Sequence, residues 1–153
     1  MRALGIDLGS KRIGVALSNS DGTVATPYEV VQRSGDRAGD HRRLRDLAVE
    51  AEVEVVVVGV PYSLDGSVGH AARRLLKEIH ALEQVLPVPV ATHDERLSTV
   101  TAHRSLAEMD LDAPARRRVV DKVAAAVILQ AWLDQQRATA DTAPRTPPRG
   151  QLT

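Results

Sequence analysis

Three carboxylates from distant parts of the chain are the side chains whose types and positions fit a chemical reaction. Asp7 interrupts an apolar run near the start of the chain, Glu95 follows a short β-branched segment, and Asp121 lies within a long apolar helix pattern. Burying Asp7 among aliphatic residues without compensation would cost several kcal/mol, so it needs a metal, a polar substrate or a structural partner. The chain has no cysteine, so any metal would need oxygen or imidazole ligands, which favours hard cations. The three carboxylates together fit Mg²⁺ or Mn²⁺, and two such ions about 4 Å apart would activate water for phosphodiester hydrolysis.

A structural interpretation of the same carboxylates involves no metal. Asp7 would then cap a turn, and the other two carboxylates would pair with neighbouring basic side chains. The candidate partners are Arg96 for Glu95, and Lys122 or Arg117 for Asp121. Both interpretations are compatible with the residues alone.

Two further candidates lie beside Glu95. Asp94 and Glu95 are adjacent, so on a strand their side chains would point to opposite faces and only one can join the site directly. Asp94 is then a candidate for a residue that contacts the site residues rather than the metal. His93 is the histidine closest in sequence to the proposed site.

Basic residues could hold the phosphates of a substrate at two places. Lys11 and Arg12 lie in the turn after Asp7, although surface charges in a hairpin need no function. The segment Arg116-Arg117-Arg118 begins the last apolar helix and is either a clamp for a nucleic-acid backbone or a solvated helix end. Other basic clusters, such as Arg73-Arg74, are interpreted as solvated helix faces.

Composition limits the remaining classes of function. A chain of 153 residues fits one domain, and its 20 basic and 20 acidic residues argue against binding nucleic acid through a global basic field. With one Trp, two Tyr and no Phe, it offers no platform for stacking bases. The sequence shows neither an apolar run of about 18 residues nor a charged and then apolar leader, so we expect a soluble cytoplasmic protein without a membrane partner.

The hydrophobic pattern predicts an α/β fold with a mixed five-stranded sheet and helices on both of its faces. The first three strands would form an antiparallel meander, and strands one, four and five would run parallel. Asp7–Gly9, Pro61–Gly66 and Asp94–Glu95 would then meet at the carboxyl ends of the parallel strands, where ligands bind in such sheets. We expect the domain to span residues 1–137, followed by a disordered Pro-containing tail at 138–153. The expected strands are residues 4–8, 13–17, 24–32, 53–60 and 88–92, and the expected helices are residues 40–50, 71–85, 98–108 and 115–136.

Four motifs in order resemble the YqgF family, whose members are candidate nucleases for precursor 16S ribosomal RNA and are also called Holliday junction resolvase-like. The resemblance covers residues 2–136 and implies a ribonuclease H-like fold. It places Asp7, Glu95 and Asp121 on the acidic metal site of the family, with Mg²⁺ or Mn²⁺ as the cofactor. The motifs are Gly5-Ile6-Asp7-Leu8-Gly9-Ser10-Lys11-Arg12-Ile13-Gly14-Val15-Ala16, Val58-Gly59-Val60-Pro61 with Asp65-Gly66, Asp94-Glu95-Arg96-Leu97-Ser98-Thr99, and Val120-Asp121 followed by Ala124-Ala125 and Ile128-Leu129-Gln130.

The resemblance implies a metal-dependent endonuclease of the two-metal type that matures the 5′ end of pre-16S ribosomal RNA. Its partners would be precursor ribosomal RNA and the ribosomal subunit precursor, and it would act as a monomer or homodimer. Three alternatives stay open: a resolvase of branched DNA, a non-catalytic factor in ribosome assembly or transcription, and an ATPase of the actin and sugar-kinase kind. The ATPase needs two such domains, and this chain holds one. We assign substrate contacts to Gly9, Lys11, Arg12, Arg96 and Arg117.

Overall fold

A computed structural model describes residues 1–98 and 114–142 of the chain, with the side chains of residues 114–120 and 141–142 excepted. The described residues form five strands, three α-helices and a short 3₁₀ turn. The strands are β1 (Ala3–Leu8), β2 (Arg12–Ser18), β3 (Ala25–Gln32), β4 (Val55–Val60) and β5 (Val90–Asp94). The helices are α1 (Arg37–Glu50), α2 (His70–Glu83) and α3 (Pro114–Thr142), and the 3₁₀ turn is Glu95–Leu97.

The strands form one mixed sheet in the order β3-β2-β1-β4-β5. Strands β1, β2 and β3 pair antiparallel, whereas β4 runs parallel to both β1 and β5. Pro27 lies in β3, an edge strand, where its missing N–H is tolerated. The carboxyl ends of β1, β4 and β5 therefore lie at one edge of the sheet, which confirms the predicted fold class and topology.

Helices cover both faces of this sheet, which divides the core into two layers. On one face, α1 and α2 pack through residues such as Leu44 and Ile79 against the side chains of β1, β2 and β4. On the other face, α3 packs through Ala125, Ile128 and Leu129. The approach of α3 is very close, since a Cβ on Gly5 of β1 would lie 2.7 Å from Leu129 Cβ.

Several boundaries differ from those expected. α1 begins at Arg37 rather than at residue 40, because the added residues Arg37 and Ala38 are exposed and therefore give no apolar signal in the sequence. α3 continues past the expected end at residue 136 to Thr142, since Ala138 and Ala140 are strong helix formers and the first proline beyond is Pro144. The domain boundary at residue 137 stays a prediction.

Two other expectations are limited by what the structure describes. The predicted helix at residues 98–108 falls almost wholly on residues 99–113, which lie outside the described residues. Ser98 itself follows the 3₁₀ turn, and its hydroxyl donates a hydrogen bond to the carbonyl of Glu95. None of the described helices is long and apolar enough to cross a lipid bilayer.

Candidate active site

Asp7 lies between two glycines in the middle of the sheet. It pairs with Gly14 across the β1·β2 ladder. In the parallel β1·β4 ladder Ile6 pairs with Val58, which places Gly59 beside Asp7 one residue further on. The Asp7 side chain points to the same face as Gly5, towards α3, because side chains two residues apart on a strand share a face. Asp7 is buried, with 5 % of its surface exposed, and neither neighbour has a side chain to cover it.

Asp121 reaches this site from α3, whose backbone rests directly on Gly14. A Cβ on Gly14 would lie 2.1 Å from the carbonyl oxygen of Asp121, so only glycine permits this approach. The Asp121 carboxylate accepts a hydrogen bond of 2.6 Å from Nε of Arg12, and both side chains are about one-quarter exposed or less. The predicted structural partner Lys122 is therefore not the residue that binds Asp121.

Glu95 approaches from the other side of Asp7. It is the first residue of the 3₁₀ turn after β5 and is 4 % exposed. Its Oε1 atom lies 2.9 Å from the position that a Cβ on Gly59 would occupy. The carboxylate of Glu95 thus lies over Gly59, which is the neighbour of Asp7 in the sheet.

Asp94 faces away from this site, as its adjacency to Glu95 predicts. It pairs with Val60, whose side chain belongs to the core layer under α1 and α2. Nε of Arg96 donates to both carboxylate oxygens of Asp94 at 3.0 Å, and this contact lowers the pKa of Asp94. The guanidinium of Arg96 also lies 5.9 Å from the centre of the Tyr62 ring. Arg96, which we expected to contact substrate, therefore ties the end of β5 to the loop after β4.

His93 is a buried polar residue on the α3 face of the sheet. It pairs with Gly59 of β4, so Gly14, Asp7, Gly59 and His93 lie side by side across β2, β1, β4 and β5. Burial lowers the pKa of His93 and outweighs the opposite effect of Asp94, which keeps the imidazole neutral at pH 7. Its Nε2 atom has no hydrogen-bond partner among the residues that the structure describes. Buried polar atoms without a partner are rare and call for an explanation.

The structure therefore places Asp7 in β1, the carboxylate of Glu95 over the neighbouring Gly59, and the backbone of Asp121 over Gly14, all on the α3 face of the sheet. Within residues 1–98 and the described side chains of α3, no group of three carboxylates or histidines is arranged to hold a metal ion. The Asp121 carboxylate is bound to Arg12 instead.

The predicted substrate contacts are distributed over both faces of the sheet. Gly9 lies in the turn after β1, where its carbonyl accepts a hydrogen bond of 2.7 Å from Nε of Arg33. Lys11 lines a cleft on the face opposite to α3, whereas Arg12 lies on the α3 face. The backbone of Arg117 belongs to α3, but its side chain lies outside the described set.

The cleft beside Lys11 contains charged residues that sequence reasoning missed or interpreted as solvated. Arg33 forms two hydrogen bonds of 2.8 Å with the carboxylate of Glu78, and His41 forms a third of 2.8 Å. Arg74, assigned to a solvated helix face, lines the same cleft. No motif could reveal this group, because its members come from the residue after β3, from α1 and from α2, and meet only in the folded chain.

Comparison with known proteins decides the family. A family model named RuvX and described as Holliday junction resolvase matches residues 1–135. The chain belongs to this family. A relative from Mycobacterium sp. strain KMS is 48% identical over 138 residues, which cover 90% of this chain and 82% of the relative. A relative from Mycobacterium leprae strain Br4923 is 47% identical over 153 residues, with 99% and 82% covered. Both are named as candidate pre-16S rRNA nucleases, and these findings confirm the resemblance to the YqgF family.

Solved structures with a similar fold include two resolvases. RuvC of T. thermophilus in complex with a Holliday junction substrate superposes with a TM-score of 0.56 at 19% sequence identity, covering 91% of this chain and 98% of RuvC. The Holliday junction resolvase of fowlpox virus gives a TM-score of 0.50 at 13% identity, covering 88% and 99%. At these identities the likeness concerns the fold, and it confirms the expected ribonuclease H-like architecture of this RuvX-family chain.

Proposed function

We propose that this RuvX-family protein is a metal-dependent endonuclease that hydrolyses phosphodiester bonds, with Asp7, Glu95 and Asp121 as the catalytic, metal-binding residues. The observation that supports the proposal is the placement of Asp7, Glu95 and Asp121 on the same side of the sheet. Asp7 and Glu95 are both at least nine-tenths buried and lie on one face of the sheet, beneath the helix that carries Asp121. A divalent cation would be attracted by two carboxylates on the same side of the sheet.

The donor atoms fit Mg²⁺ or Mn²⁺, because all three candidate ligands offer carboxylate oxygens. A bound pair of such ions would supply an activated water and stabilise the leaving oxygen. For Asp121 to join such a site, its carboxylate must exchange Arg12 for the metal. Arg12 would then be released to contact a substrate phosphate, which is the role the sequence suggests for it.

We infer that the substrate is precursor 16S ribosomal RNA, cleaved during maturation of its 5′ end. The names of relatives that are 47–48% identical over nearly the whole chain support this substrate. Branched DNA is the second candidate, and the description of the matching family supports it. The ribosomal subunit precursor as a partner and the cytoplasm as the place of action belong to the first candidate.

A parallel cleavage assay tests this proposal. An end-labelled precursor RNA that spans the mature 5′ end, and a four-way DNA junction, are each incubated with Mg²⁺, with Mn²⁺ or with EDTA. We expect metal-dependent cutting of the RNA by the wild type and none by Asp7→Asn. Cutting of the junction instead would assign the enzyme to branched DNA. Binding of either substrate without cutting in any metal would contradict the nuclease and favour a non-catalytic assembly factor.

A further inference from the structure

A cleft of about 740 Å³ opens on the sheet face opposite to α3, at the edge where β1 ends. The turn between β1 and β2 forms one wall, and the end of β3 and helices α1 and α2 form the others. Its volume lies within the range of small-ligand sites, about 300–1,000 Å³. Most of the described lining residues are polar or charged, three are aliphatic, two are glycines and none is aromatic. The charged ones are Lys11, Arg33, Arg37, Asp40, Arg74 and Glu78.

The two acidic residues of the cleft both have partners within the protein. Glu78 accepts hydrogen bonds from Arg33 and His41. Burial alone would raise the pKa of Glu78, but these contacts outweigh it and lower the pKa. Asp40 accepts a hydrogen bond of 2.8 Å from the hydroxyl of Ser34, and the amide of Ser34 donates to it as well. Glu78 is therefore paired with a cation of the protein, whereas Asp40 is held by neutral donors that leave its charge in place.

The basic residues of the cleft, Arg33 excepted, are not neutralised in this way. The side chains of Lys11 and Arg74 form no ion pair or hydrogen bond with any residue that the structure describes. Arg37 is largely exposed and lies 3.9 Å from Glu78, an acid that Arg33 and His41 already satisfy. Within the part of the chain that the structure describes, Lys11, Arg37 and Arg74 thus face Asp40 as the one acid of the cleft that is not paired with Arg33.

We propose that this cleft binds a phosphate group of the nucleic-acid substrate, at a distance from the phosphate that is cleaved. The proposal rests on the proposed nuclease function, which supplies the nucleic acid. Guanidinium and ammonium groups around a cavity without aromatic residues fit a phosphate rather than a base. Binding through phosphate alone would not depend on base sequence.

The β1–β2 turn connects this cleft to the candidate active site. Asp7 lies on the α3 side of the turn, and Lys11 lies on the cleft side. Arg33, which forms part of the cleft floor, donates from Nε to the carbonyl of Gly9 within the same turn. A strand that crosses this edge of the sheet can therefore contact the cleft and the carboxylates together, which would fix its register on the enzyme.

The test compares the salt dependence of binding between variants that remove cations inside and outside the cleft. The double variant Arg37→Gln/Arg74→Gln removes two cations of the cleft. Arg73→Gln removes one charge from the neighbouring exposed position of α2, which does not line the cleft. Binding of fluorescent single-stranded RNA is measured by anisotropy over a range of KCl concentrations, in EDTA so that no cutting occurs. Equal melting temperatures of the variants establish that all are folded.

We expect the slope of log K against log salt concentration to become shallower in the double variant, by about 0.7 for each phosphate that this variant no longer neutralises. Arg73→Gln should keep the wild-type slope. The proposal is wrong if the double variant has the same slope as the wild type, or if Arg73→Gln changes the slope as much as the double variant does. It is also wrong if the wild type does not bind the RNA. RNA strands with a 5′-phosphate and with a 5′-hydroxyl show which phosphate the cleft binds. If it binds the terminal phosphate, the double variant should change the slope only for the 5′-phosphorylated strand. If it binds a backbone phosphate, the change in slope should be the same for both strands.

The outcome for the cleft is separable from that for the nuclease. If the wild type cuts in the presence of metal but the double variant keeps the wild-type slope, phosphate binding by the cleft is refuted and the nuclease function stands. If the double variant has a shallower slope but the wild type does not cut in any metal, phosphate binding is supported and the nuclease function is refuted.

Discussion

Replacing Gly14 by alanine is the substitution most directly coupled to the position of Asp121. The added Cβ would lie 2.1 Å from the carbonyl oxygen and 2.7 Å from the carbonyl carbon of Asp121. Both are backbone atoms of α3, so a side-chain rotation cannot relieve the clash. Since tight contacts of a real Cβ begin at 3.0–3.4 Å, the helix and the strand must separate by about 1 Å.

The expected effects follow from that displacement. Forcing an extra methyl group into a packed interface costs typically about 1–3 kcal/mol, and we expect the upper half of this range because the obstacle is backbone. Moving Asp121 by about 1 Å should also lower the cleavage rate by about 10²-fold, as misplacement of this size does elsewhere. The free energy of unfolding is measured by urea denaturation, and cleavage is measured with saturating metal at a temperature where the variant is fully folded.

Leu133→Ala serves as the matched control. Leu133 is 1 % exposed, packs from the same helix onto the sheet, and lies far along α3 from Asp121. Its truncation should cost about 2–5 kcal/mol through the cavity it leaves, without moving Asp121. Wild-type stability and cleavage in Gly14→Ala would contradict this role of Gly14. An equally large loss of cleavage in folded Leu133→Ala would contradict it as well.

Three other changes test separate parts of the site. Gly59→Ala brings a Cβ to 2.6 Å from Ile128 Cδ1 and 2.9 Å from Glu95 Oε1, and both atoms are ends of side chains that can rotate. The free energy of unfolding, measured by urea denaturation, should therefore fall less than in Gly14→Ala, whereas the cleavage rate should fall as much. Arg12→Gln removes the partner of a partly exposed Asp121, so stability should change by less than about 1 kcal/mol, while Mn²⁺ affinity, measured by calorimetry without substrate, should rise; unchanged affinity would count against the exchange of Arg12 for metal. Glu78→Gln leaves Arg33 without its counter-ion and should cost about 3 kcal/mol at pH 7. The pKa of Glu78 is lowered in the folded state, so the ionised carboxylate stabilises the fold above the unfolded pKa of 4.5, and this stabilisation is lost as the pH falls further. The curves of unfolding free energy against pH for the wild type and the variant should therefore converge below about pH 4.5. A constant difference down to pH 2 would contradict the role of ionised Glu78 as the counter-ion of Arg33.

The fold was predictable because its signals are local and repeated. The β-branched run Val55–Val60 can only be a strand covered on both faces, and it places β4 in the parallel part of the sheet. The alternating apolar residues around Asp7 and the apolar surface of α3 must both be buried, and few arrangements of the elements bury both. The placement of Asp7 and Glu95 at one edge follows from this topology, since the carboxyl ends of parallel strands meet there.

The contacts within the site were not predictable, because they depend on register and on partners distant in sequence. Gly14 and Gly59 are the neighbours of Asp7 only in the observed pairing of β1 with β2 and β4, and a shift of one residue would replace both. Arg12 meets Asp121 across 109 positions of the chain. The pairing of Arg33 with Glu78 likewise joins β3 to α2, and no periodicity within either element indicates it.

The most direct test of the three-carboxylate site compares two aspartates on the same helix. Asp121 and Asp134 both lie on α3, and both bind an arginine, Arg12 and Arg137 respectively. Asp134 is exposed and lies 13 positions beyond Asp121 on the helix, away from Asp7 and Glu95. Asp134→Asn therefore controls for the loss of one charge from α3.

The quantity to measure is the rate of Mg²⁺-dependent cleavage by Asp121→Asn relative to Asp134→Asn. A metal site formed with Asp7 and Glu95 predicts a loss of at least about 10²-fold in Asp121→Asn and the wild-type rate in Asp134→Asn. A folded Asp121→Asn variant that cuts at the wild-type rate would contradict the site, and would leave Asp121 as the structural partner of Arg12.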